Sequence, residues 1–178
     1  MISRERVLAA LNRKEVDRVP FVESTIGFRI GEELLGRTLS TMSIPQLGLS
    51  FRNVEDEKML SRLLHRDNIS LRLPAPTFSE MPKSINGQPF VGEGLIKNMD
   101  DFRNKFSLPD PEDHALYEPI KPFIERKDEF PLTFSTRPGF LSARISIGLQ
   151  TYMEAIYLDP ELIDAVTSAY VDWSAKIL

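Results

Sequence analysis

Phe130-Pro131-Leu132-Thr133-Phe134-Ser135 is the clearest strand signal in the chain: short, apolar, and closed within two residues by Arg137-Pro138-Gly139. From there to the last residue the pattern is helical. Asp159-Pro160 supplies an N-cap with proline at the first helical position. Leu162, Ile163, Val166, Ala169, Tyr170, Trp173 and Ile177 then form an apolar stripe at helical spacing, so they are core or docking surface rather than a cofactor box. That helix meets no stop signal at Leu178, and the sequence reads as ending mid-architecture. Upstream of the strand, a helix is expected over residues 112–127, kinked or divided by Pro119 and Pro122.

Working back to the N-terminus, the same alternation recurs. Residues 19–22 (Val-Pro-Phe-Val) and 67–73 are strand candidates, the first limited to an edge by Pro20. Helices are expected from Ser3 to about Asn12, over 30–35 with Gly36 as the stop, and over 54–64. Residues 85–96 carry Asn86-Gly87 and β-formers, which predicts a projecting hairpin. Asn98 with Asp101 marks a helix start, and that helix runs to about Phe106. Strands spaced by helices imply parallel βα units, about three of them. The expected fold class is α/β, a partial TIM (β/α) barrel: the N-terminal half of one domain over residues 1–178, since a closed barrel takes about 250 residues.

Composition narrows the partners. A net charge of −4 with 27% charged residues and no lysine or arginine stripe argues against nucleic acid. No apolar run nears the roughly 20 residues that span a bilayer, and the N-terminus lacks a secretory core, so a cytoplasmic protein is expected. With no cysteine there are no disulfides and no thiolate ligands. Asn68-Ile69-Ser70 is a glycosylation sequon by chance. Gly31 to Thr38 mimics a phosphate loop but carries Glu32 and Glu33, which would repel phosphate. His65 and His114 stand far apart with no metal-type partner at helical spacing.

The residues Ser3-Arg4-Glu5-Arg6-Val7-Leu8-Ala9-Ala10-Leu11-Asn12, then Asp17-Arg18-Val19-Pro20-Phe21, resemble the opening of uroporphyrinogen decarboxylase-like proteins. Leu108-Pro109-Asp110-Pro111-Glu112-Asp113, Tyr157-Leu158-Asp159-Pro160-Glu161-Leu162 and Asp172-Trp173 resemble the methyltransferase-like branch, in the right order along nearly the whole chain. The superfamily implies a TIM-type barrel with its active site at the C-terminal ends of the strands. Its members are cofactor-free decarboxylases, or zinc-dependent enzymes that move methyl groups to or from a corrinoid or thiol. The zinc ligands of the latter lie in the C-terminal half, outside this chain. Zinc and a corrinoid are therefore implied only for a longer parent, with a small molecule or a corrinoid protein as its substrate.

The resemblance also carries departures. Decarboxylases follow their first strand with Arg-Gln-Ala-Gly-Arg, where this chain has Ser24-Thr25-Ile26-Gly27-Phe28, with Arg29 one position along. Near the aspartate at the end of their second strand stands Arg72-Leu73-Pro74. Both changes favour methyl transfer over porphyrinogen decarboxylation, because a multiply carboxylated ring needs cationic anchors and a central carboxylate. A non-enzymatic half-barrel, pairing with a missing half or with itself, is the third reading.

The candidate substrate-binding residues follow the strand ends. Glu23 orients substrate or acts as acid or base, or is a capping carboxylate; Ser24 stands beside it. Thr136 and Arg137 occupy the same place after the 130–135 strand, where Arg137 holds a carboxylate or phosphate, or pairs with a surface glutamate. Arg29 is a substrate anchor or a surface charge at a helix start. No catalytic residue and no metal ligand is assigned. Two isolated histidines and no cysteine predict that the 178-residue chain retains no stoichiometric zinc after dialysis; a one-to-one zinc signal on metal analysis would contradict this.

Overall fold

The computed structural model describes residues 1–85, 87 and 89–178. The chain is mixed α/β and divides into two compact units, Met1–Leu73 with His114–Ser135, and Pro74–Asp113 with Thr136–Leu178.

The first unit is organised by two parallel strands, β3 (Ile69–Arg72) and β4 (Leu132–Ser135), in register Ile69 to Leu132 through Arg72 to Ser135. Ile69 and Leu71 are buried, while Ser70 is half-buried and Arg72 exposed. This alternation gives the pair one apolar and one polar face, unlike the continuous apolar runs of sheets covered on both sides. The apolar face packs Ile69 with Val54, Phe123 and Phe130, and Phe51 meets Phe123 edge-on at 5.8 Å. Val54 opens helix α3 (Val54–Leu63), capped by Asn53, whose side chain accepts from the Asp56 N–H. Helices α1 (Ser3–Leu11) and α2 (Phe28–Leu35) precede it, and Gly36 ends α2 in the left-handed region, as expected.

Three expectations change here. Residues 19–22 do not form a ladder strand; the segment runs beside β3, joined by one main-chain hydrogen bond, Asp67 N–H to the Phe21 carbonyl, and otherwise by side chains. An antiparallel hairpin, β1 (Thr41–Ile44) with β2 (Leu49–Arg52), is absent from the expected elements; its turn is Pro45–Leu47 with Gly48 at φ 62. The helix expected over 112–127 is divided, as its prolines allowed, but further than into two: it becomes two 3-10 turns, His114–Leu116 and Glu118–Ile120, and the short helix α5 (Lys121–Glu125). Pro119 and Pro122 remove two amide donors there, which leaves only short helical pieces.

The second unit is helical apart from one excursion. Helix α4 (Met99–Lys105) is capped by Asn98, which accepts from the Asp101 N–H at 2.9 Å. Helices α6 (Phe140–Ile147) and α7 (Leu149–Leu158) are separated by Gly148 at φ 90, and α8 (Pro160–Ile177) is capped by Asp159. The α8 stripe is real: Leu162, Val166, Tyr170 and Trp173 are buried. The excursion pairs Ser79 with Gly94 and Lys83 with Pro89, so the hairpin starts earlier than residue 85; Asn86 of its expected turn lies outside the described residues. Two of the motifs that carry the resemblance meet here, as the Trp173 indole N–H donates to the Pro109 carbonyl at 2.7 Å.

Among the described residues, the sheets are two-stranded and no closed barrel is formed. No helix among them is long and apolar enough to cross a membrane. Phe123 is fully buried at the centre of the first unit, so Phe123→Ala is expected to cost about 3–5 kcal/mol. Denaturant unfolding followed by circular dichroism measures this, and a loss under about 1 kcal/mol would mean the site collapses without strain.

Candidate functional site

Asp67 explains how the chain reaches the C-terminal ends of the parallel strands. Its carboxylate is fully buried just before β3. One oxygen accepts from Ser3 Oγ at 2.9 Å, Arg6 Nη1 at 2.5 Å and Arg18 Nη2 at 2.8 Å; the other accepts from the Phe21 N–H at 2.9 Å. The Asp67 N–H donates back to the Phe21 carbonyl at 2.6 Å. Burial pushes the Asp67 carboxyl up, but the Phe21, Ser3, Arg18 and Arg6 donors together leave it below its ordinary value. Asn68 continues the pattern, accepting from the Glu23 N–H at 3.1 Å and donating to the Glu23 carbonyl at 3.2 Å and to Thr133 Oγ1 at 2.6 Å. The buried, bonded amide of Asn68 is no glycosylation acceptor in this fold. Ser70 Oγ then donates to the carbonyls of Glu23 and Ser24, at 3.2 and 2.6 Å. Residues 21–24 thus advance in step with 67–70, like a parallel strand.

The exposed Glu23 carboxylate sits where this segment ends. It accepts from the Ser24 and Thr25 N–H groups at 2.8 and 3.5 Å and from Ser24 Oγ at 3.4 Å. The Ser24 and Thr25 amides hold Glu23 below the usual glutamate range, and the Arg66 charge adds to this. It is an ionised group fixed in direction, fit to accept a hydrogen bond or orient a cation rather than to give a proton at neutral pH. Beneath it lies a buried ionic cluster. Glu57 accepts from Arg52 through one oxygen, at 2.9 and 2.6 Å, and from Arg66 Nη2 through the other at 2.5 Å. Arg66 also reaches the Glu23 carbonyl at 3.4 Å, so the cluster fixes the backbone below the carboxylate.

The candidate site of the first unit is therefore the polar face of the parallel pair: Glu23 and Ser24, then Ser70, Arg72 and Ser135. Arg72 ends β3 exposed, with no hydrogen-bond or ion-pair partner among the described residues, beside its register partner Ser135. From sequence, Arg72 stands out only as a departure, although its place at a strand end is the same signal that selects Glu23. Of the other expected residues, Arg29 lies on the surface of α2, its side chain 91% exposed and paired with Glu33 at 3.0 Å. Thr136 and Arg137 belong to the second unit, both half-buried. The Arg137 carbonyl accepts from Ser174 Oγ at 3.3 Å. The neighbouring Tyr170 hydroxyl bonds the Pro76 carbonyl and Ser146, and burial pushes it up to about 12. Among the described residues, no group of three histidine, aspartate or glutamate side chains is placed to hold a metal ion.

The fold is similar to that of a methyltransferase from Methanosarcina mazei, with a TM-score of 0.56 and 15% identity over 97% of this chain and 53% of the other. The chain thus has a methyltransferase-like fold and spans about half the length of that structure. No family model matches the sequence. No curated protein matches it either.

The buried Asp67 makes the first unit acid-sensitive. Its lowered pKa contributes stability that is fully present above the ordinary value near 3.8 and is lost as pH falls through the lower folded value. Asp67→Asn should flatten that acid limb and cost about 3–5 kcal/mol at neutral pH by leaving Arg6 short of a buried partner. Unfolding curves at several pH values check both signs; an unchanged acid limb in the variant would remove Asp67 from this role.

Proposed function

We propose that this chain forms the N-terminal part of a (β/α) barrel of the uroporphyrinogen decarboxylase and corrinoid methyltransferase superfamily, and that the parent protein transfers methyl groups. The likeness to the M. mazei methyltransferase over 97% of the chain carries this reading. The parallel β3–β4 pair with its polar face supports it, since barrel enzymes work at the C-terminal ends of such strands. In this reading the strand ends of the first unit contribute Glu23, Ser24 and Arg72 to substrate binding, and Arg29, exposed on α2 beside Glu33, takes no part. No donor set among the described residues fits zinc and the chain has no cysteine, so in this reading zinc and its thiolate and imidazole ligands come from elsewhere in the parent. Glu23, ionised and held by the N–H groups of Ser24 and Thr25, accepts a hydrogen bond from the substrate or its carrier, and Arg72 neutralises an anionic group. The same charges speak against a porphyrinogen. An arginine near the ring centre opposes the positive charge that develops there.

The test reads the coding DNA past Leu178 and assays the longest product with methylated donors plus a corrinoid protein, and separately with uroporphyrinogen. Methyl transfer is expected, with kcat/KM lowered about 10–100-fold in Glu23→Gln and in Arg72→Ala. Efficient coproporphyrinogen formation, abolished by Arg137→Ala, would instead establish the decarboxylase reading.

A further inference from the structure

The second unit contains a cavity of about 530 Å³ at the junction of α6 and α7, within the size range of small-molecule pockets. Its walls are Val91 and Glu93 of the hairpin, Arg144 and Ile145 of α6, and Leu149 and Gln150 of α7. Two glycines shape the junction. A Cβ on Gly94 would meet the Gly148 nitrogen at 2.3 Å, and one on Gly148 would meet Lys97 Nζ at 3.0 Å in a backbone at φ 90. The hairpin therefore sits directly on the chain break between the two helices, and the gap beside that contact is the cavity.

Its chemistry is uneven. Arg144 is half-buried in α6, and its guanidinium has no hydrogen-bond or ion-pair partner among the described residues. The facing carboxylate, Glu93, is engaged by Lys97 Nζ at 3.2 Å, which also reaches the Ile147 carbonyl at 3.2 Å. Counted together, Arg144, Lys97 and Glu93 leave one uncompensated positive charge. Gly148 offers α7 no side-chain cap, so the cap residue does not compete with an incoming anion for the first N–H groups of that helix. Val91 and Leu149 are 51% and 58% exposed, an apolar wall beside the guanidinium.

We propose that this cavity binds a small monocarboxylate with an aliphatic body. The carboxylate takes the planar fork of Arg144 bidentately, and the body covers Val91, Ile145 and Leu149. A dianion is disfavoured because Glu93 shares the cavity, and a zwitterion because Glu93 is already paired.

Equilibrium dialysis of radiolabelled hexanoate against the 178-residue chain tests this, hexanoate being the simplest probe with one carboxylate and an aliphatic body. One equivalent should bind with a Kd of about 0.1–1 mM. Arg144→Gln should weaken it at least about tenfold, with Arg144→Lys between the two because it keeps the charge and loses the fork. Hexanol should not compete. Absence of saturable binding up to about 10 mM would overturn the proposal. So would affinity unchanged in both variants, phosphate competing as well as hexanoate, or 2-aminohexanoate competing better. The dialysis needs no methyl transfer, so its outcome is independent of the function proposed above.

Discussion

A buried carboxylate with several donors converging on it is the constraint on which the first unit is built. Asp67 draws together the start of α1 through Ser3 and Arg6, the charged turn through Arg18, and the following segment through Phe21. Taking a carboxylate out of water costs several kcal/mol unless charged and neutral donors replace the solvent. Here they do, and the donors come from three places in the chain. The bond network therefore works as a register pin: residues 21–24 can lie beside β3 in one alignment only. Glu23 emerges at the strand ends because Asp67 and Asn68 sit where they do.

The second buried cluster extends the same logic. Glu57 on α3 is shared by Arg52 at the end of the hairpin and Arg66 after the helix, and Arg52 also donates to the Ile26 carbonyl at 2.7 Å. Two arginines and one carboxylate leave a net positive charge beneath the segment that carries Glu23. That favours an ionised Glu23 and biases the polar face toward anion-compatible chemistry. Apolar packing of Ile69, Val54, Phe123 and Phe130 supplies the cohesion; the ionic clusters supply the alignment.

Much of the fold was legible where one residue type has one physical reason to be where it is. Asn53 aside, the caps at Asn98 and Asp159, the stop at Gly36 and the α8 stripe all follow from local rules. The expected strand at 19–22 failed because strand patterning cannot reveal that its partners are mostly side chains, such as Asp67, 46 residues from Phe21 in sequence. The β1–β2 hairpin escaped although Thr-Met-Ser-Ile and Leu-Ser-Phe-Arg both alternate polar and apolar, because four residues are too few for the period to stand out. Its turn, Pro-Gln-Leu-Gly, also lacks an Asn-Gly signature. The candidate site was legible only as a rule about strand ends. That rule selected Glu23 and Ser24 but passed over Arg72, and it could not show that Arg29 faces solvent beside Glu33.

A main-chain ladder survives almost any substitution, because every residue but proline brings the same amide. The segment bearing Glu23 is instead fastened by the side chains of Asp67, Asn68 and Ser70. Apart from the Asp67 N–H bond to the Phe21 carbonyl, its pairing is therefore inherited through three codons rather than through the polymer itself. Residues 21–24 enter that pairing through their backbone groups, so a change at 67, 68 or 70 would loosen it more than a change in the residues they hold.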